Sequence, residues 1–170
     1  MIAPPALWFA IAAMLPLMLL TGWYDLKHLR IPNRLALAVL AVFLVAGLWG
    51  LPFETFLWRL CAGAAVLAAG FALFAAGLIG GGDAKMATAL APFVAGEDVP
   101  GLLLLYALVT LALLLALRLA MQFARHRETG WRAVDQYARP ARERVFPMGL
   151  IFAITITVYL LAEGLSAGRG

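Results

Sequence analysis

The sequence predicts an all-α integral membrane protein: a bundle of six transmembrane helices with both termini external and a basic cytoplasmic segment between the fifth and sixth helices. Three observations carry this. Hydrophobic residues make up 65% of the 170 residues and charged residues 13%, whereas a soluble domain is about half apolar and about a quarter charged. Mean hydropathy is +0.95. The cations collect in alternate connections between apolar runs, as the positive-inside rule requires of a multi-pass chain. The spans together form one bundle, so a single domain is expected over residues 1–170, with residues 118–146 a basic loop or interfacial helix. The one cysteine, Cys61, excludes an internal disulfide, a Cys-based zinc site and a CxxC redox pair. It is expected as a small buried hydrophobe.

The first span is expected over residues 6–21. The stretch before it has no Lys or Arg, so it lacks the positive region of a cleavable signal peptide, and its N-terminus is placed outside. Pro16 kinks this span. Gly22-Trp23-Tyr24 supplies interfacial aromatics, and residues 25–34 form a polar loop whose Lys27, Arg30 and Arg34 mark it as cytoplasmic. The second span covers residues 35–51 and ends at the cation-free Pro52-Phe53-Glu54. The third covers 56–79, with Arg59 snorkelling from its outer end. The fourth, 84–95, is shorter than the ~20 residues a free span needs and is interrupted by Pro92. A crossing is nevertheless expected, because otherwise the arginine-rich segment further on would face outside. Gly96-Glu97-Asp98-Val99-Pro100 reads as an external loop, and residues 101–117 as the fifth span. Residues 118–144 then hold seven arginines interspersed with aromatic and apolar residues, read as cytoplasmic helix on the membrane surface. These cations flank spans instead of forming a separate domain, so they signal topology and lipid contact rather than nucleic acid. The sixth span covers 147–162.

This topology places two carboxylates together. Of nine acidic residues, Asp25 and Asp83 alone stand at the inner ends of spans, on one face of the membrane and at similar depth. Two carboxylates meeting in a poorly solvated site cannot easily both ionise; one keeps a proton and their titrations couple. That arrangement suits aspartic proteolysis, in which one carboxylate takes a proton from water and the other polarises the scissile carbonyl. Ser166, the one serine, lies in the external tail and gives a serine mechanism little support. The alternative is a capping or solvated role for each aspartate, with Asp83 the N-cap of the fourth span. His28 reads as a solvated loop residue. Lys27 and Lys85 read first as lipid or topology contacts, and second as cations tuning a nearby aspartate. No His/Asp/Glu cluster has metal-ligand spacing, and no metal or cofactor is expected. Gly80 to Lys85 is no P-loop, since no Gly-Lys-Ser/Thr follows.

Gly80-Gly81-Gly82-Asp83 is a GxGD sequence, extended by Ala84-Lys85. Asp25 is followed by Lys27, Arg30 and Ile31-Pro32-Asn33. With both motifs after alternate spans of one small bundle, the chain resembles the aspartic type IV prepilin peptidases, most closely the short form serving Flp-type (tight-adherence) pilins. The resemblance covers nearly the whole chain. It implies that Asp25 and Asp83 are the catalytic pair, and that Gly80, Gly82, Lys85, Lys27, Pro32, Asn33, Pro147 and Gly149 position the motifs or the substrate. The implied substrate is a prepilin with a basic leader and an apolar helix, cut after the leader's last glycine at the cytoplasmic face of the bacterial inner membrane. Membrane lipids and pilus-assembly machinery are the further partners implied; no nucleic acid is.

Two departures matter. The long form of the family carries a cysteine-rich cytoplasmic insert and a second, N-methylating activity; this chain has no such insert, so peptidase activity alone is expected. The short form often has Pro-Tyr-Gly near its last span, and here the sequence is Pro147-Met148-Gly149. The rival class is a non-enzymatic scaffold or small transporter whose aspartates bind protons or a partner. The near absence of polar residues in the second, fifth and sixth spans argues against a transport path.

Overall fold

The computed structural model describes residues 2–123, 130–135 and 146–168, so most of the expected surface helix over 118–146 lies outside the described residues. Among the described residues seven α-helices follow in order: α1 (Pro4–His28), α2 (Asn33–Gly50), α3 (Phe53–Ala75), α4 (Gly81–Leu90), α5 (Val99–Phe123), α6 (Arg132–Asp135) and α7 (Met148–Ala167). Five of them, α1, α2, α3, α5 and α7, are long and apolar enough to cross a membrane. All described regular structure is helical.

The element ends follow from local chemistry, and several differ from the sequence reading. α1 does not stop near residue 21 but runs through Trp23, Asp25 and Lys27 to His28. Nothing between Gly22 and Pro32 breaks a helix, and polarity alone does not. It ends at Leu29, which adopts left-handed backbone (φ 51°) and donates its amide to the Asp25 carbonyl, an αL cap usually given to glycine. α3 stops at Ala75 instead of reaching residue 79. Gly77 sits at φ 72°, and its amide and that of Leu78 bond to the Phe74 and Leu73 carbonyls, both over 2.9 Å. This paired closure is a Schellman motif, and its left-handed residue favours glycine. It turns the chain straight back into Gly80 and α4.

α4 differs most from expectation. It has ten residues, about 15 Å of helix, and is not among the five membrane-length helices. Pro92 lacks an amide and crowds the preceding turn. The chain tightens there into a 3₁₀ turn, Ala91–Phe93, passes through extended Val94 and forms a second 3₁₀ turn, Gly96–Asp98. The Arg59 guanidinium holds this irregular stretch, donating to the Pro92 and Phe93 carbonyls at 3.4 and 2.9 Å. Arg59 is therefore buried against main chain and does not snorkel. Cys61 is exposed, on a helix whose outer face is bare, and is not a core residue.

α1 lies between α2 and α7, and α4 packs against α2, α3 and α7. Gly22 and Gly164 let α1 and α7 approach closely: a methyl on either would stand 2.9 Å from Leu150 or 2.8 Å from Ile11. Small residues serve this purpose in membrane bundles. The core centres on Phe43, Met86 and Phe93, with Phe43 stacked on Phe56 at 5.7 Å and edge-on to Phe93 at 5.3 Å. By contrast α5 is almost wholly bare and α3 nearly so. Leu, Val, Phe and Trp cover these outer faces, as expected of surfaces solvated by lipid.

Candidate active site

Asp25 lies on the last turns of α1 and is 4% exposed. Its carboxylate oxygen Oδ2 accepts the Leu150 amide at 3.1 Å, and the Gly149 amide also faces it. These are second and third residues of α7, so the carboxylate rests on a helix N-terminus, where free amides and the helix dipole favour an anion. Pro147 is fully buried and sets the start of α7. Gly149 has no side chain for a physical reason: a methyl there would lie 3.0 Å from the Asp25 carboxyl and 2.8 Å from Ile31 Cδ1.

Asp83 occupies the third position of α4, not its N-cap, which is Gly80. The Asp83 amide donates to the Gly80 carbonyl at 3.1 Å, while the Gly80 amide faces the Asp83 carboxylate. The second contact is half of a capping box, an acidic third residue reaching back to the first orphan amide. A methyl on Gly80 would stand 2.7 Å from Asp83 Oδ2. Asp83 heads the short helix, outside the five membrane-length ones. Burial pushes its carboxyl above the usual carboxylate range, opposed by the Gly80 amide, which favours the anion.

The two carboxylates are within electrostatic reach of each other. Ile31 sits between their supports, 3.5 Å from where a Gly82 methyl would lie and against Gly149. The loop after α1 thus packs on both the glycine motif and the head of α7. Pro32 caps α2 from the N-terminal side. Asn33 joins the motifs directly: Lys85 Nζ donates to its Oδ1 at 3.2 Å. Lys27 lies instead over the Trp23 ring, 5.8 Å from its centroid, and His28 packs beside Tyr24. Trp131 meets Trp23 edge-on at 4.9 Å, so the described part of the basic segment adjoins the same end of the bundle.

The structure thus gathers Asp25, Asp83, Gly80, Gly82, Lys85, Asn33, Pro32 and Gly149 at one end, with Lys27 at its edge. The sequence reading missed Ile31 as the shared wedge and Leu150 as the donor to Asp25. It also missed Tyr106 of α5, which lies within electrostatic reach of Asp83. No local signal marks Leu150 or Tyr106, since each acts across more than one helix. Among the described residues no three His, Cys, Asp or Glu side chains group so as to hold a metal ion.

Fold and site together define a multi-pass helical membrane protein with two acidic side chains gathered at one end of its bundle. A model of the type IV leader peptidase family matches residues 11–117, and the chain belongs to that family. The match includes Asp25, Asp83 and the helices between them, and ends before α7. No curated protein and no solved structure matches the chain. The family makes the chain a peptidase with a prepilin-type substrate.

Proposed function

We propose that this protein is an aspartic leader peptidase in which Asp25 and Asp83 form the catalytic pair. The supporting observation is their placement: residues 58 positions apart in sequence (83 minus 25) are held within electrostatic reach, each by main-chain amides. Among the described residues neither is neutralised by a salt-bridging cation; Lys85, two positions from Asp83, is engaged by Asn33, and Lys27, two positions from Asp25, lies over the Trp23 ring. Such a pair shares one proton. The ionised member takes a proton from water as its oxygen attacks the scissile carbonyl carbon. The protonated member hydrogen-bonds to the carbonyl oxygen and donates to it as the tetrahedral diol forms. The diol then collapses, the C–N bond breaks, and the leaving amine takes the returned proton. No covalent intermediate forms.

The substrate in this reading is a prepilin of the Flp type, its basic leader in the cytoplasm and its apolar segment in the membrane, cut after the leader's last glycine. The enzyme sits in the bacterial inner membrane with the aspartates at the cytoplasmic face, where Lys27, Arg30, Arg34 and Lys85 also lie. Residues 84–95 carry the chain across to the outer side. Supporting this crossing, Asp98 accepts the Tyr159 hydroxyl at 2.8 Å, eleven residues into α7 and about 16 Å from the Asp25 end. Both termini are then external. Removal of the leader is the whole activity; no methyl transfer accompanies it.

The test is direct. The purified protein in detergent is incubated with a Flp-type prepilin and the products are weighed by mass spectrometry. A product beginning immediately after the leader glycine supports the reading, and cleavage at any other bond overturns it.

A further inference from the structure

A groove of about 660 Å³ runs between α3 and α5, floored by α4 and α7. Its walls scarcely touch each other, so it opens sideways along the bare faces of both. It is lined chiefly by apolar side chains, and four of them are alanines, Ala62, Ala87, Ala91 and Ala95. Small residues let another helix approach closely. From Glu97 at one end to Tyr106 at the other, it spans about 14 Å, roughly nine residues of helix. Two features set it apart from an ordinary lipid-facing furrow. Thr155, 4% exposed, is among the lining residues, and its buried hydroxyl has no partner; a buried orphan hydroxyl is costly unless something completes it. And the groove ends at Tyr106, which is within electrostatic reach of Asp83.

Resting on the leader-peptidase reading, we infer that this groove receives the apolar segment of the prepilin that directly follows the scissile bond. The direction agrees with the substrate's own layout. A chain cut at Asp83 with its leader toward the basic end must run its apolar part outward, and the groove leads from Asp83 toward the outer end. Where the peptide unwinds for cleavage, its main-chain amides and carbonyls need partners. The Thr155 hydroxyl and the Tyr106 phenol are the polar groups that the groove offers nearest that point. A second furrow, about 450 Å³ between α1 and α7, is lined by no fully buried side-chain polar atom that lacks a partner.

The experiment is photo-cross-linking in nanodiscs, using protein in which Asp25 and Asp83 are both changed to Asn. The probe is a Flp-type prepilin carrying benzoylphenylalanine at successive positions after the cleavage glycine, and adducts are mapped by mass spectrometry. Adducts are expected on Ala62, Val66, Leu102 and Leu103. Ala87→Trp, which fills the groove, is expected to lower adduct yield at least tenfold. Leu37→Trp, on the exposed face of α2, should leave it unchanged. Thr155→Val is expected to lower it about threefold while the protein still folds. Adducts on Leu19, Ile154 or Val158 of the α1–α7 furrow would overturn the inference. So would a photoactivatable phospholipid that labels the α3–α5 groove equally with and without prepilin, which would make the groove a lipid site. Binding is read without cleavage, so groove adducts with aspartates that prove dispensable would sink the catalytic reading and leave the docking site standing.

Discussion

The Leu150 amide donates to the Asp25 carboxylate over 3.1 Å, joining residues 125 positions apart. Through this contact the head of α7 becomes part of the site, although α7 lies beyond the stretch that matches the family. The α7 N-terminus presents amides to Asp25 much as the Gly80 amide is presented to Asp83, so each aspartate is oriented by main chain rather than by another side chain.

Gly149→Ala is expected to lower cleavage about 10²-fold, the scale of a 1 Å misplacement of a reacting group. The new methyl would crowd both the Asp25 carboxyl and Ile31, and neither can retreat without moving the loop after α1. Cleavage rates beside thermal melts in detergent check this. A variant that melts like the parent and cleaves like it would remove α7 from the site.

The two glycines of the GxGD sequence should not be equivalent. A methyl on Gly80 meets the Asp83 carboxylate at 2.7 Å, whereas one on Gly82 meets Ile31 at an ordinary 3.5 Å. Gly80→Ala is therefore expected to lose at least tenfold in cleavage and Gly82→Ala no more than about threefold. Equal losses would indicate that Gly82 is needed for substrate approach and not for packing.

Stability should depend on pH through Asp83. Its carboxyl is held above the usual carboxylate range by burial, so the folded chain binds this proton more tightly than the unfolded chain. The stabilisation is fully present below the unfolded value and is lost as pH rises through the folded one. Asp83→Asn lacks this titration. Its melting temperature relative to the parent should therefore rise as pH is raised from the ordinary carboxylate range through the higher folded-state value of Asp83. A difference that stays flat or falls over that range would contradict the burial of Asp83.

The irregular stretch after α4 is held from two sides. Arg59 donates to two of its carbonyls. Tyr159 donates to Asp98 and accepts the Ala95 amide at 3.4 Å. Tyr159→Phe should cost about 1–2 kcal/mol and Arg59→Leu about 1–3 kcal/mol, since buried partners are left unpaired. Tyr159 lies far from the aspartates and does not line the α3–α5 groove, so cleavage by Tyr159→Phe well below its melting temperature should remain within about threefold of the parent. A large loss of rate without loss of stability would couple this clamp to the site.

Much of the site was legible because charge is scarce in this chain. Asp25 and Asp83 stand out from long apolar runs, and the topology alone put them at one end. The helix boundaries were less legible. A polar loop was expected from residue 25, yet the helix continues, since a stretch without Pro or Gly has no reason to stop at a change of polarity. Arg59 was read by the habit of terminal cations in spans; the structure instead gives it the carbonyls that Pro92 and the 3₁₀ turn leave free. Cys61 was read by its residue type, but in a membrane bundle an apolar residue is as well placed facing lipid as facing the core. The Leu150 contact could not be read at all, because a helix N-terminus offers its amides whatever its side chains are.

The most direct test of the central claim is the cleavage rate of Asp25→Asn and Asp83→Asn, each alone and both together, on a Flp-type prepilin, with melting curves to show that every variant is folded. Each single change is predicted to lower the rate at least ~10³-fold, and the double change to cost little more than either alone, because the two groups act as one unit. A folded single variant that cleaves at the parent's rate would contradict the account.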